Sequence, residues 1–137
     1  MAANSRFAVA VHAATVLAFN GSNYVTSDLI AESVNTNPVV VRRIISALTK
    51  AGIVESHLGK SGGSRLAKKP NRITLLDIYQ AVEKQGLFAL NQKPENKKCR
   101  VSCCMKDILS RVFDAAEKSV EVSFANTTLA DVLKPIS

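Results

Sequence analysis

The chain has 137 residues, 47% of them hydrophobic, so it is long enough to bury a core and too apolar to be intrinsically disordered. Its net charge is +7, of which residues 1–73 carry +6 and residues 74–137 carry +1. A basic surplus confined to one half predicts a polyanionic partner for that half, most often nucleic acid and less often an anionic membrane.

The first predicted helix runs from about Ser5 to Phe19. Its apolar stretch FAVAVHAATVLAF, residues 7–19, has the composition of a signal-peptide core, but His12 interrupts it and no A-x-A cleavage site follows. The stretch is also too short to span a bilayer. We therefore predict a buried first helix, a cytoplasmic protein and no membrane partner.

The next two predicted helices are joined by a short turn. The second covers residues 27–34, capped by Thr26 or Ser27. The third opens with Asn37 as N-cap and Pro38 in the first turn, and it ends at Gly52 in a left-handed conformation. A close crossing needs a small residue, a left-handed turn residue and branched anchors, which are supplied by Ala31, Asn35, Val41 and Ile44. The pattern predicts a helix-turn-helix.

A β-hairpin and a fourth helix follow. Residues 53–58 and 64–68 read as strands joined by a glycine-rich turn, and the pattern Thr74-x-x-Asp77 predicts a capping box at the start of the fourth helix. The predicted fold class is mainly α with a small β-hairpin wing (α+β), a winged helix-turn-helix followed by a long C-terminal dimerisation helix.

The C-terminal part begins with a polar linker at residues 91–98 and ends with a short helix that Thr128-x-x-Asp131 opens and Pro135 closes. Between them lies a long amphipathic helix whose apolar stripe is formed by Ile108, Leu109, Val112, Phe113, Ala116, Val120 and Phe124. Such a stripe predicts a homodimer, the alternative being that it folds back on its own domain. The predicted division is a DNA-binding domain at 1–86, a linker with cysteines at 87–104 and a dimerisation region at 105–137.

The front of the third helix is the predicted DNA reader. In a major groove its N-terminal residues would meet base edges or phosphates, and an arginine can form two hydrogen bonds to guanine. The alternative is that the arginines form a solvated helix face. The residues concerned are Asn37, Val39, Val40, Arg42 and Arg43.

The hairpin tip GKSGGSR, residues 59–65, is a second candidate contact. Its unshielded backbone N–H groups, cations and hydroxyls suit a phosphate backbone or a minor groove. A plain hairpin turn is the alternative, whereas a Walker A loop is excluded because Val54 stands where that motif needs glycine. The candidates are Lys60, Ser61, Gly62, Gly63 and Arg65.

Four segments together resemble one family: NSRFAVAVHAATVLA, LIAESVNTNPVVVRRIISALTKAGIVES, GKSGGSRLAKKPNRITLLDIYQAVE and TTLADVL. They are similar to the bacterial Rrf-two family of winged-helix transcription regulators over nearly the whole chain. The resemblance implies DNA contact by the second and third helices and the wing, and a homodimer built by the long helix. It adds Ser5 and Arg6 near the DNA backbone, and Ser27 at the start of the second helix. Leu58 and Ser64 depart from the family pattern, so no base preference is inherited.

Three cysteines, Cys99, Cys103 and Cys104, lie in KKCRVSCCMKD. Adjacent cysteines seldom bind one compact cluster, so an iron–sulfur cluster is disfavoured, and a zinc ion lacks a fourth ligand. Neighbouring cations predict reactive thiols, with Cys99 the most exposed. Inert cysteines, a thiol switch, a cluster and a metal ion stay open, and neither cofactor nor metal is expected.

We therefore predict a sequence-specific DNA-binding transcription regulator, a homodimeric repressor on a palindromic operator in double-stranded DNA, with a thiol-based redox signal among the alternatives. It is not predicted to be an enzyme. A non-specific nucleic-acid-binding protein is one rival. A small thiol oxidoreductase is another, but the chain lacks a C-x-x-C pair.

Overall fold

The computed structural model describes residues 5–136. Its helices and strands follow one another in the order predicted, which confirms the mainly α fold with a two-stranded hairpin. The elements are α1 (Arg6–Phe19), α2 (Ser27–Val34), α3 (Pro38–Lys50), β1 (Val54–His57), β2 (Gly63–Leu66), a 3₁₀ turn (Pro70–Arg72), α4 (Leu75–Val82), α5 (Arg100–Ala125) and α6 (Leu129–Leu133).

The chain divides into two compact units, one of Met1–Lys84 with Phe124–Ser137 and one of Gln85–Ser123. In the first unit α1 packs against α2, α3, α4 and α6. The face of α1 that carries Ala10, Ala13, Ala14 and Leu17 is completely buried, as predicted for a buried first helix. The rest of the core consists mainly of branched apolar residues from the other elements: Ile30, Val41, Ile44, Leu48, Ile53, Ile73, Ile78 and Leu129.

The turn between α2 and α3 has the predicted geometry. Asn35 adopts the left-handed conformation, with φ 62° and ψ 51°, and Thr36 N donates to Ala31 O at 3.0 Å. The side chain of Asn37 accepts a hydrogen bond from Val39 N at 2.8 Å and so caps α3. These local contacts fix the start of α3 relative to α2 and confirm the helix-turn-helix.

The hairpin is tied to the segment before α2. Strand β1 pairs with β2 in antiparallel register, from Val54 opposite Leu66 to His57 opposite Gly63. Val25 and Ser64 exchange two backbone hydrogen bonds of 2.8 Å, which add a one-residue third strand. Gly63 has φ +150°, and a Cβ there would lie 2.6 Å from Val25 O, so only glycine allows this close approach.

Helix α6 closes the first unit. Two capping boxes, one formed by Thr74 and Asp77 and one by Thr128 and Asp131, start α4 and α6. Leu129 N donates to Ile73 O at 2.8 Å and the Leu129 side chain is fully buried. The sequence predicted both boxes but not that α6 packs on α1.

In the second unit, Leu87 and Phe88 contact α5. The rings of Phe88 and Phe113 stack with their centroids 5.0 Å apart, and Leu87 N donates to a carboxylate oxygen of Glu117 at 2.6 Å. Residues 91–98 are exposed, as the linker prediction requires. Helix α5 starts at Arg100, earlier than expected, so it includes Cys103 and Cys104. The division into a DNA-binding domain, a linker with cysteines and a dimerisation region stays a prediction. None of the helices described is long and apolar enough to cross a membrane.

Candidate nucleic-acid interface

Helix α3 presents one face to the core and the others to solvent. Its buried stripe is Val41, Ile44, Ile45 and Leu48, which anchors the helix in the first unit. Its first two turns expose Val39 and Val40 (46% and 39%) together with Arg42 and Arg43. Consecutive helical residues point about 100° apart, so the two arginines are directed to different sides of α3.

One side of α3 borders an open groove of about 710 Å³ toward the hairpin. We call it the wing groove, and among the predicted contact residues it brings together Ser27, Arg42, Gly62 and Gly63. Arg42 Nη2 lies 3.9 Å from the carboxylate of Asp28, and both side chains are largely exposed. An exposed pair at this distance is weak, so Arg42 remains able to bind another anion.

The other side of α3 borders a depression of about 470 Å³, which we call the basic pocket. It brings together four further predicted residues, Ser5, Arg6, Val40 and Arg43. The predicted contact set is therefore divided between two surfaces that flank the exposed front of α3. A helix inserted in a major groove meets a phosphate backbone on each side, and this arrangement offers a cation to each.

Four further predicted contact residues lie at the wing tip and at the front of α3. Lys60 and Ser61 are exposed in the turn that the hydrogen bond from Gly62 N to Gly59 O, 3.0 Å long, closes. Asn37 and Val39 are exposed at the first turn of α3 but line neither depression. The oxygen of the Asn37 side chain is already used in the cap, so its amide N–H₂ group is the part free to contact a base.

Arg65 is held within the protein. Its Nε donates to Glu55 at 2.5 Å, its Nη1 donates to Ser22 O at 3.3 Å, and its guanidinium carbon lies 4.5 Å from the centre of the Tyr24 ring. The hydrogen bond to Glu55 raises the pKa of Arg65, so the guanidinium stays charged. Since Glu55 already balances that charge, direct phosphate binding by Arg65 stays a prediction. The contacts that the structure shows join β2 to β1 and to the segment before α2.

The wing groove also contains residues that the sequence did not single out. Ser46, Thr49 and Lys50 follow Arg42 on α3 and line the groove. Helical spacing from Arg42 could have identified Ser46 and Thr49, because residues four and seven positions apart share a face. His57 faces the groove from β1, and its ring lies 5.4 Å from that of Tyr24. That contact depends on the hairpin register, which the sequence pattern did not determine.

The three cysteines are all exposed and unpaired. Cys99 lies just before α5, and its carbonyl accepts from Cys103 N at 3.0 Å, which places the two residues one helical turn apart. Cys103 Sγ lies 3.6 Å from the carbonyl oxygens of both Asn96 and Lys97, in position to donate its thiol hydrogen.

A recognition helix in a helix-turn-helix, flanked by a hairpin wing and by cations on both sides, defines a winged-helix DNA-binding protein. The comparisons with known proteins agree: residues 3–135 match the model of the Rrf2 family, described as "Iron-dependent Transcriptional regulator", and the chain belongs to that family. It is a transcription regulator, and regulators of this family are not enzymes.

Three similar proteins illustrate the relationship. The chain is 44% identical to YwnA of Bacillus subtilis (strain 168), named as an HTH-type transcriptional regulator, over 95% of this chain and 96% of that protein. A crystal structure of a protein described as DNA-binding shares 40% identity and a TM-score of 0.76, covering 94% of this chain and 99% of the other. IscR of T. potens shares 26% identity and a TM-score of 0.73, covering 100% and 89%.

The family description names iron, and the side chains of this chain do not fit an iron site. No group of three His, Cys, Asp or Glu residues within residues 5–136 is arranged to bind a metal ion. The thiol of Cys103 is directed at backbone carbonyls, and Cys104 is its neighbour on α5. Adjacent helical residues point about 100° apart, so both thiols cannot readily bind the same ion.

Proposed function

We propose that the protein is a homodimeric repressor that recognises a palindromic operator and blocks a promoter by occupying it, and that it acts in the cytoplasm. The observation that supports the proposal is the position of α3 between the wing groove and the basic pocket, with Arg42 on one side and Arg43 on the other. In this proposal Val39, Val40 and Asn37 face bases, while Ser5, Arg6, Ser27 and the wing tip bind phosphates.

The proposed homodimer rests on the exposed side of α5. Val101, Met105, Ile108 and Val112 are spaced by four, three and four residues and are 64%, 40%, 51% and 54% exposed. This is the spacing of a coiled-coil seam, and a row of four large apolar side chains in water favours pairing with a second copy. A twofold pair of winged helices matches a palindromic DNA site.

A binding competition tests the proposal. A high-affinity duplex is first selected from a random library, and its affinity is compared at fixed salt with that of a scrambled duplex of the same composition. We expect a palindromic selected sequence that binds at least about a thousandfold more tightly than the scrambled one. Equal binding of both duplexes would instead identify a non-specific nucleic-acid-binding protein, and a selected site without twofold symmetry would contradict the dimer.

A thiol signal is the second part of the proposal. Three exposed thiols lie at the start of α5, where Lys97, Lys98 and Arg100 surround Cys99 in the sequence. Exposed thiols in a cationic setting react readily with oxidants. Because the same helix carries the proposed dimer seam, oxidation at Cys99, Cys103 or Cys104 is positioned to change how the two DNA-binding units are paired.

A further inference from the structure

The basic pocket combines an apolar floor with a cationic rim. The floor is formed by side chains from α1, α3 and α4, among them the buried Ile44, Ala81 and Val82 and the half-buried Val9 and Ala47. Its volume of about 470 Å³ lies within the range of about 300–1,000 Å³ that is typical of small-molecule sites. The pocket is therefore large enough for a small organic molecule.

Among residues 5–136 the rim carries three cations, Arg6, Arg43 and Lys84, and none of the carboxylates in that range lines the pocket. Glu83 lies outside it and pairs with Arg6 at 3.8 Å. Arg43 forms no ion pair with any carboxylate in the part of the chain that the structure describes. Two residues with hydroxyl groups, Ser5 and Thr36, also line the pocket. The pocket is thus complementary to a negative charge with hydrogen-bond acceptors.

A DNA phosphate matches the positive charge of the pocket but not its apolar floor. It can pair with Arg43 at the rim, but it has no apolar group to cover Val9, Ala47 and Val82. A carboxylate attached to a short hydrocarbon body matches both the charge and the floor, since its charge reaches the rim while its body removes the floor from water.

We propose that the basic pocket binds a small organic carboxylate with an aliphatic or single-ring body, whose carboxylate pairs with Arg43 and Lys84. Arg43 and Val40 are also proposed to contact DNA, so the bound carboxylate and the operator exclude each other. This second step rests on the proposed function, whereas binding of the carboxylate to the free protein does not. The carboxylate is then an inducer that releases the promoter.

The probe is sodium hexanoate, titrated into the full-length protein while methyl NMR signals are followed. We expect saturable shifts of the methyl groups of Val9, Val40, Ala47 and Ala81. 1-Hexanol, which keeps the body and lacks the charge, should bind at least about fivefold more weakly, because hydrogen bonds to charged groups contribute more than those to neutral groups. No saturable shift with hexanoate, or equal binding of both probes, would overturn the proposal.

Three variants locate the site. Ala47→Leu fills the floor and Lys84→Gln removes a rim cation, and each should weaken hexanoate binding by about fivefold or more. Neither residue is among the proposed DNA contacts. Lys118→Gln is the matched control, because Lys118 is an exposed lysine of α5 that does not line the basic pocket, so its loss should leave hexanoate affinity unchanged. Equal affinity for hexanoate in all three variants would place the site elsewhere and contradict the proposal.

A competition experiment with DNA distinguishes a failure of the pocket proposal from a failure of the proposed function. Hexanoate should release the selected duplex from the wild type and do so less effectively from Ala47→Leu, with equal concentrations of sodium acetate as the salt control. If the protein binds the duplex specifically but not hexanoate, the pocket proposal fails alone. If it binds hexanoate but has no specific duplex, the proposed function fails alone. If both bind together without competition, the pocket is not the site of induction.

Discussion

The guanidinium carbon of Arg65 lies over the ring of Tyr24, 4.5 Å from its centre. Tyr24 belongs to the segment before α2, and Arg65 to β2, so the contact links the hairpin to the helix-turn-helix. The hydrogen bonds from Arg65 to Glu55 and to Ser22 O complete the link. Together with the backbone hydrogen bonds between Val25 and Ser64, these contacts hold the hairpin against that segment, so we expect Arg65 to act as a positioning residue for the wing.

Replacing Arg65 by lysine distinguishes positioning from direct phosphate binding. Lysine keeps the charge but cannot donate to Glu55 and Ser22 while stacking on Tyr24, so we expect Arg65→Lys to lose most of the affinity that Arg65→Ala loses. The slope of log affinity against log salt should stay nearly constant in both variants, whereas Lys60→Gln at the tip should reduce it by about one.

A direct phosphate role for Arg65 would give a different pattern. Arg65→Lys would then retain near-wild-type affinity, and Arg65→Ala would lower the salt slope as Lys60→Gln does. Measuring all three variants on the same duplex decides between the two roles.

Arg43 and Arg42 provide a test of the two-sided interface. Arg43→Ala should lower operator affinity by about 1–3 kcal/mol and leave the thermal stability unchanged, because the side chain is exposed and makes no ion pair among residues 5–136. Arg42→Ala should also weaken binding, with a smaller net loss because Arg42 must give up its pair with Asp28 in order to bind DNA. Fluorescence anisotropy with a labelled duplex measures both. Unchanged affinity in Arg43→Ala would remove α3 from the recognition surface.

Asp131 gives the fold a pH-dependent contribution to stability. Its carboxylate accepts a hydrogen bond from Thr128 N at 2.9 Å, and this bond, followed by a smaller contribution from the Thr128 hydroxyl, lowers the pKa of Asp131. A folded pKa below the unfolded one adds stability that is complete above the unfolded pKa and disappears as the pH falls through the folded pKa.

Asp131→Asn should therefore be less stable than the wild type near neutral pH, and the difference should shrink as the solution is acidified below the ordinary range of an aspartate. Urea unfolding at a series of pH values measures the free energy of unfolding of both proteins. Asp114→Asn, an exposed change on α5, controls for the loss of a surface carboxylate. A difference that is the same at every pH would show that Asp131 acts without its charge.

Local signals explain which parts of the fold could be predicted from the sequence. The Asn37 cap, the left-handed Asn35 and both capping boxes each depend on residues within four positions, so their residue types identify them directly. The contacts of Arg65 with Ser22 and of Leu129 with Ile73 join distant parts of the chain. No periodicity encodes such a pairing, which is why the wing's support and the docking of α6 were missed.

The candidate site could likewise be predicted from the sequence only in part. The sequence identified the cations at the front of α3, but it could not show that Arg42 and Arg43 serve different surfaces. That division depends on which residues of α1, α4 and the hairpin pack beside α3. The basic pocket, with Lys84 from the segment just after α4 and Arg6 from the start of α1, is likewise a product of tertiary packing.

The proposed seam on α5 predicts that a charge in it separates the subunits. Ile108→Glu places a carboxylate in the middle of the row formed by Val101, Met105, Ile108 and Val112, where a paired helix would have to bury it unpaired. Sedimentation velocity should show a dimer for the wild type and a monomer for the variant. Asp114→Lys changes the charge on another side of α5 and should stay dimeric. A dimer of Ile108→Glu would place the subunit contact elsewhere.

Oxidation should act on DNA binding through the first turn of α5. Diamide removes two electrons and two protons from a pair of thiols as their disulfide forms, and Cys99 and Cys103 are one turn apart. A disulfide requires Cβ atoms about 3.5–4.5 Å apart, closer than the roughly 5–6 Å of helical neighbours four positions apart. Closing it must distort the turn that contains Val101, the first residue of the proposed seam.

We therefore expect diamide to lower the affinity of the wild type for the selected duplex, with dithiothreitol restoring it and mass spectrometry identifying the Cys99–Cys103 bond. Cys104→Ser should respond like the wild type, because Cys104 is not needed for that bond, whereas Cys99→Ser should not respond. The variant with all three cysteines changed to serine tests whether the thiols are needed. If it responds to diamide as the wild type does, the thiols have no part in the response. The signal must then act through another site, and the basic pocket is the candidate.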